Sequence, residues 1–197
     1  MEQMREGLPL DCNVDSKKSS NGYKDTWIGY KLHIGVAEGR IPIRYILTAA
    51  SLHDSQVAIP LANSTAQRVT HLYKLMDSAY DAQPIHQFNR DFGHIPLIGP
   101  IPRRDQARKQ ESLEEQRRRN LLNHSSAKDI RYNDRTTVER VNARLKGEFG
   151  ARLIRVRGNA KALCHLMFGI VASAATSYCA SSLRRLLLPH PEIHRSE

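Results

Sequence analysis

Hydrophobic positions along this chain change their period several times, and each change predicts an element. "WIGYKLHIGV" (27–36) alternates apolar and polar residues and is rich in aromatic and β-branched side chains, which predicts a strand. "AEGR" makes a turn, and "IPIRYILTA" (41–49) is the antiparallel return strand of a hairpin. "HDSQVAIPLAN" then predicts a helix that begins near Asp54 or Ser55, either of which suits an N-cap. "VTHLYKLMDSAYD" holds a strand from Leu72 to Met76 with Asp77 at its carboxyl end. "DAQPIHQFNRDFG" is a helix closed by Gly93, and "HIPLIGP" is a short apolar strand stopped by Pro100 and Pro102. A helix over 136–149 and an apolar helix from Asn159 to Leu188 complete the pattern.

Two stretches lack such periodicity. The first twenty-odd residues, through "DSKKSSNGY", are polar and turn-rich and read as a loop. Residues 103–131 are highly charged without a long apolar face, so they read as a basic loop or short exposed helices. The order hairpin, helix, strand, helix, strand, helices implies an α/β fold with a mixed sheet flanked by helices. Sites in such open sheets form outside the carboxyl ends of strands, where Asp77 is placed. The expected division is a polar N-terminal loop (1–24), one domain (25–188) with a basic insertion (103–131), and a tail (189–197).

Composition narrows the partner. A hydrophobic content of 40% with 25% charged residues is ordinary for a globular domain, but a net charge of +10 and a pI near 9.8 are not. They imply a polyanion, with nucleic acid ahead of an anionic membrane surface. The charge is concentrated: residues 1–102 carry 10 Lys/Arg against 10 Asp/Glu, and residues 103–157 carry 16 against 8. Cys12, Cys164 and Cys179 are too widely spaced for a disulfide framework or a zinc site, which fits a reducing cytosol. "MEQMREGLPLDC" lacks the features of a secretion signal. Ala162 to Leu183 holds no formal charge, and its larger side chains recur at helical spacing; a buried core helix is the favoured reading over a membrane span.

The late stretch "YNDRTTVERVNARLK" sets one carboxylate among many cations. If 132–149 is helical, Tyr132 lies about 20° to one side of Glu139, with Lys146 about 20° and Arg135 about 40° to the other. Val138, Val141, Leu145 and Phe149 form a separate apolar stripe that can face the core. Glu139 could then look along the sheet edge towards Asp77. Two acids converging among cations suit Mg²⁺, which takes one or two carboxylates plus phosphate oxygens and waters. Arg135 and Lys146 could hold phosphates, and Tyr132 could bond a phosphate or stack on a base. Plainer readings stand beside this. "TTVE" (136–139) fits a capping box with Thr136 as N-cap, Asp77 alone fits a strand-end turn, and the remaining arginines fit a solvated face.

The spacing Y-x2-R-x3-E-x6-K, met by Tyr132, Arg135, Glu139 and Lys146, resembles the signature of DDE transposases of the insertion-sequence-4 type. "GYKDTWIGYKLHIGV", "LTAASLHDSQVAIPL", "LMDSAYDAQPI" and "RTTVERVNARLKGEFG" resemble segments of such transposases in the same order, over 11–180. The resemblance implies an RNase H-like fold and a three-carboxylate site for two Mg²⁺ or Mn²⁺ ions. It also implies nicking at transposon ends followed by strand transfer into target DNA. Asp77 matches the second catalytic aspartate and Glu139 the glutamate, both as metal ligands. Tyr132, Arg135 and Lys146 match DNA-handling positions, and Arg140 and Arg144 lie beside them as further DNA contacts.

One departure stands out. The family's first aspartate lies in a D-x-T motif on a first strand upstream of the segment matching "GYKLHIGV", so the first strand is expected to be missing here. Asp11 and Asp15 sit in a polar stretch without strand character and make weak substitutes, and Asp54 is expected to cap a helix. The chain thus reads as an N-terminally truncated transposase, bacterial, cytoplasmic and nucleoid-associated, with DNA as partner, no membrane, and a homodimer on DNA left open. A non-catalytic DNA-binding remnant that competes for transposon ends, or partners a full-length enzyme, is the alternative. A metal-dependent nuclease without strand transfer is the third.

Overall fold

The computed structural model describes residues 7–18, 21–99 and 131–187, with Gln110, 113–115, 117, 118 and Leu121 between them. Among the described residues the main elements follow in this order: β1 (Asn13–Lys18), β2 (Lys24–Ala37), β3 (Ile41–Ala49), α1 (Asp54–Ala66), β4 (Tyr73–Met76), α2 (Gln83–Asp91), β5 (Ile95–Ile98), α3 (Thr136–Gly147) and α4 (Asn159–Leu187). β1, β2 and β3 form one antiparallel sheet, and β4 pairs with β5 in parallel.

The β2–β3 hairpin positions everything else, and its alternation explains why. Leu32 opposes Leu47, and Ile34 opposes Tyr45. Successive side chains of a strand point to opposite faces, so these residues share one face. Ile34 packs there with Val141 and Leu145 of α3 and Ile170 of α4, while Leu47 meets Ala162 and Leu166 of α4. The other face carries Lys31, His33, Gly35, Arg44 and Thr48 towards α1: Arg44 Nε donates to the Ser64 carbonyl, and a Cβ on Gly35 would stand 3.3 Å from Thr65 Oγ1. The turn between the strands holds Gly39 at φ +78, the left-handed conformation glycine adopts without a Cβ clash. Beyond the hairpin, Ala58 of α1 packs with Met76 of β4 and Ile85 of α2, so α1 covers both sheets.

The sequence reading needs three corrections here. Residues 13–18, assigned to the polar loop 1–24, are strand β1, with Asp15 opposite Trp27. "NVDSKK" carries no apolar alternation because its side chains stay largely in water; backbone pairing to the solvent-exposed start of β2 is what orders it. Asp54 is the first residue of α1 rather than its cap. The cap is His53, whose Nδ1 accepts from the Ser55 amide. Thr136 does not head a capping box either: Arg135 occupies the cap position in helical conformation, and Thr136 Oγ1 donates to the Asn133 carbonyl.

Of the basic 103–131 segment, the few described positions are helical, and those from Gln110 to Leu121 are exposed; the remainder, like the 189–197 tail, lies outside the described residues. Helix α4 is long and apolar enough to cross a membrane over Asn159–Leu183. One of its sides, through Ala162, Leu166 and Ile170, packs on the hairpin. All three cysteines are exposed and free.

Candidate functional site

β4 and β5 run in parallel, and both carboxyl ends open at the same place: Asp77 follows Met76 and Gly99 follows Ile98. Asp77 divides its oxygens between two tasks. Oδ1 accepts from the Ser78 amide at 2.7 Å, capping the 3-10 turn Ser78–Tyr80, while Oδ2 faces Arg135 Nη1 at 3.7 Å. The turn-capping and site readings of Asp77 are therefore compatible.

Glu139 reaches the same nitrogen. Its Oε1 accepts from Arg135 Nη1 at 2.9 Å, one helical turn along α3. Asp77 and Glu139, 62 residues apart, thus converge on one cationic atom, with side chains still 58% and 59% exposed. The apolar stripe predicted for α3 brings this about. Val141 and Leu145 are buried against the hairpin, with Val138 and Phe149 beside them, which turns the first turn of α3 towards the strand ends.

Tyr132 lies in a helical turn just before α3, joined to it by short-range backbone bonds such as Arg135 N to Tyr132 O, 3.1 Å. Its hydroxyl would stand 2.6 Å from a Cβ on Gly99, so the phenol fits over the end of β5 only because residue 99 has no side chain. Arg135 lies over the Tyr132 ring at 5.6 Å, and its buried Nε has no hydrogen-bond partner among the described residues. Tyr132, Arg135, Glu139 and Asp77 are brought together. Arg144 is engaged elsewhere, donating to both Glu148 oxygens and to Thr176. Arg140 and Lys146 project from α3 without ion pairs among the described residues.

Pattern reading missed a polar group behind Asp77. Tyr80 sits between two acids: burial first, then Asp54 and Asp77, push its phenol well above the usual tyrosine range. Asp54 Oδ1 lies 3.7 Å from Lys31 Nζ and 3.6 Å from His33 Nδ1, and Lys31 also holds Asp15 at 3.1 Å. Burial acts to raise the Asp15 carboxyl, but the Ser16 amide and Lys31 outweigh it and hold it low. Burial pushes His33 down to about 4, against the opposing pull of Asp54. The signal available in sequence was the two-residue spacing of Lys31 and His33, which puts both on one face of β2.

The donor set suits a hard divalent cation: two carboxylates already gather around a positive centre, leaving waters or phosphate oxygens to complete the shell. Asp77 and Glu139 would hold it. Among the described residues no three His, Cys, Asp or Glu side chains group closely enough to hold a metal.

No curated protein and no solved structure matches the chain significantly. The family model for the transposase DDE domain matches residues 8–174, a span that contains Asp77, Tyr132, Arg135, Glu139 and Lys146. The chain belongs to the transposase DDE domain family.

Proposed function

We propose that this chain is a transposase of the insertion-sequence-4 type, with an RNase H-like arrangement, that binds transposon-end DNA through the surface around Asp77 and Glu139. The observation that carries this is the meeting of those two carboxylates on Arg135 Nη1 at the carboxyl ends of a parallel strand pair. In the intact family such a site cleaves DNA and transfers a strand with divalent metal. A cation held between the carboxylates supplies charge stabilisation at a phosphate undergoing displacement.

The chain's own residues do the positioning. Asp77 is fixed by the Ser78 amide, so its Oδ2 needs no large reorientation to serve as a ligand. Arg135 pairs with both acids through one nitrogen, and a bound phosphate can draw its guanidinium away. Tyr132, seated over Gly99, borders the place where the scissile phosphate lies.

A second reading, a non-catalytic DNA-binding protein that competes for transposon ends, rests on the excess of 16 Lys/Arg over 8 Asp/Glu in residues 103–157. Incubation with labelled transposon-end duplexes and Mg²⁺ or Mn²⁺ separates the two. Nicking that EDTA abolishes and Asp77→Ala removes supports catalysis. DNA binding without nicking supports the second reading, and absence of binding at low salt defeats both.

A further inference from the structure

Between α3 and α4 the chain runs from Glu148 to Gly158 with no helix or strand, yet both ends of this stretch are anchored. The Ala151 amide donates to the Leu145 carbonyl at 3.0 Å, and Ala151 and Ile154 pack under the α4 core. Gly150, at φ +70, makes the turn, and its carbonyl lies 3.3 Å from His165 Nε2 on α4. With Ile154 turned inward, Arg152 and Arg155 are left outside.

These arginines, with Lys146 and His165, line an open groove of about 580 Å³. Among the described residues no carboxylate lines it. Arg135 and Arg144 are engaged with acids, but Arg152, Arg155 and Lys146 have no ion pair or side-chain hydrogen bond among the described residues. Unpaired cations cost mutual repulsion, which an anionic ligand relieves.

We propose that this groove is a second phosphate-backbone site, separate from Asp77 and Glu139, that grips duplex DNA beyond the scissile phosphate. The proposal rests on the transposase reading and deepens it. Lys146 lies seven residues along α3 from Glu139, about 10 Å at the helical rise. That spans about three base steps of B-DNA at 3.4 Å each. Contacts of this kind to the sugar–phosphate backbone fix register without reading sequence. Arginine suits this role because its planar fork can donate to two phosphate oxygens at once.

The test is fluorescence anisotropy of the full chain with a labelled 30-base-pair duplex of arbitrary sequence (a length of about three helical turns), titrated at several salt concentrations. Each neutralised phosphate contributes about 0.9 to the slope of log affinity against log salt. The variant R152Q/R155Q is expected to lower that slope by about 1.8 and to weaken binding at least 10-fold at low salt. R152K/R155K keeps the charge and should retain most of the slope, which separates lost contacts from lost folding. R90Q, on exposed α2, should change neither. An unchanged slope in R152Q/R155Q, with wild type still binding, overturns the groove alone and leaves the transposase reading standing. Failure of the wild type to bind overturns both.

Discussion

His33 is 6% exposed on the α1-facing side of the hairpin. Thr48 spends its hydroxyl proton on the Ala49 carbonyl, so the bond of 2.9 Å to His33 has the imidazole Nε2–H as donor. Nε2 therefore carries a proton, and burial disfavours a second one on Nδ1. Burial holds its pKa at about 4 against an ordinary 6.5, with Asp54 raising and Lys31 lowering it less strongly. Because the folded state resists the proton, His33 stabilises the fold fully above pH 6.5, and this stability is lost as pH falls towards 4. Two and a half units correspond to about 3 kcal/mol over the whole range, of which about 2 kcal/mol is lost between pH 7.5 and pH 5. His71, lowered mainly by burial and then by Lys74 and His94, acts in the same direction. Urea unfolding at pH 7.5 and pH 5 measures the loss, and His33→Gln, which keeps a donor for Thr48, isolates the part due to this ring. The variant should lose about 2 kcal/mol less than wild type over that interval. Equal losses in the two proteins would refute a neutral, desolvated His33.

Two further outcomes follow from packing. Leu145 is 1% exposed at the junction of hairpin, α3 and α4, so Leu145→Ala should cost about 3 kcal/mol in thermal or urea unfolding; a loss below about 1 kcal/mol would mean the junction is loosely packed. Gly99→Ala sets a Cβ against the Tyr132 hydroxyl, the far end of a side chain that can swing away. Stability should change by less than about 1 kcal/mol, while DNA affinity falls to that of Tyr132→Ala, with the double variant no weaker than either; additive losses would show that Gly99 and Tyr132 act separately.

How much of this was legible in the sequence depended on the range of the interactions. The hairpin could be read because alternation at 27–36 and 41–49 records a local geometric fact, two faces of a strand. The stripe Val138, Val141, Leu145, Phe149 could be read for the same reason at helical period, and it placed Glu139 near the strand ends. Strand β1 could not, because "NVDSKK" has no apolar alternation and is held by backbone pairing to the start of β2, Lys24 to Gly29. The caps were not legible, since Asp54, Ser55 and Thr136 are good cap types but the backbone put His53 and Arg135 there. The contacts of Asp54 with Lys31 and His33 span more than 20 residues and leave no local trace. The triplet Tyr132, Arg135, Glu139 was visible by spacing alone; that Arg135 would also reach Asp77 was not.

On the proposed reading Asp77 and Glu139, both paired with Arg135, act as one cation site. Mn²⁺ titration followed by electron paramagnetic resonance tests it most directly, using wild type, Asp77→Ala, Glu139→Ala and the double variant. One site is expected in wild type, with at least 10-fold weaker binding in each single variant and no further loss in the double, since a shared site is lost once. Mn²⁺ binding of equal strength in all four proteins would contradict it.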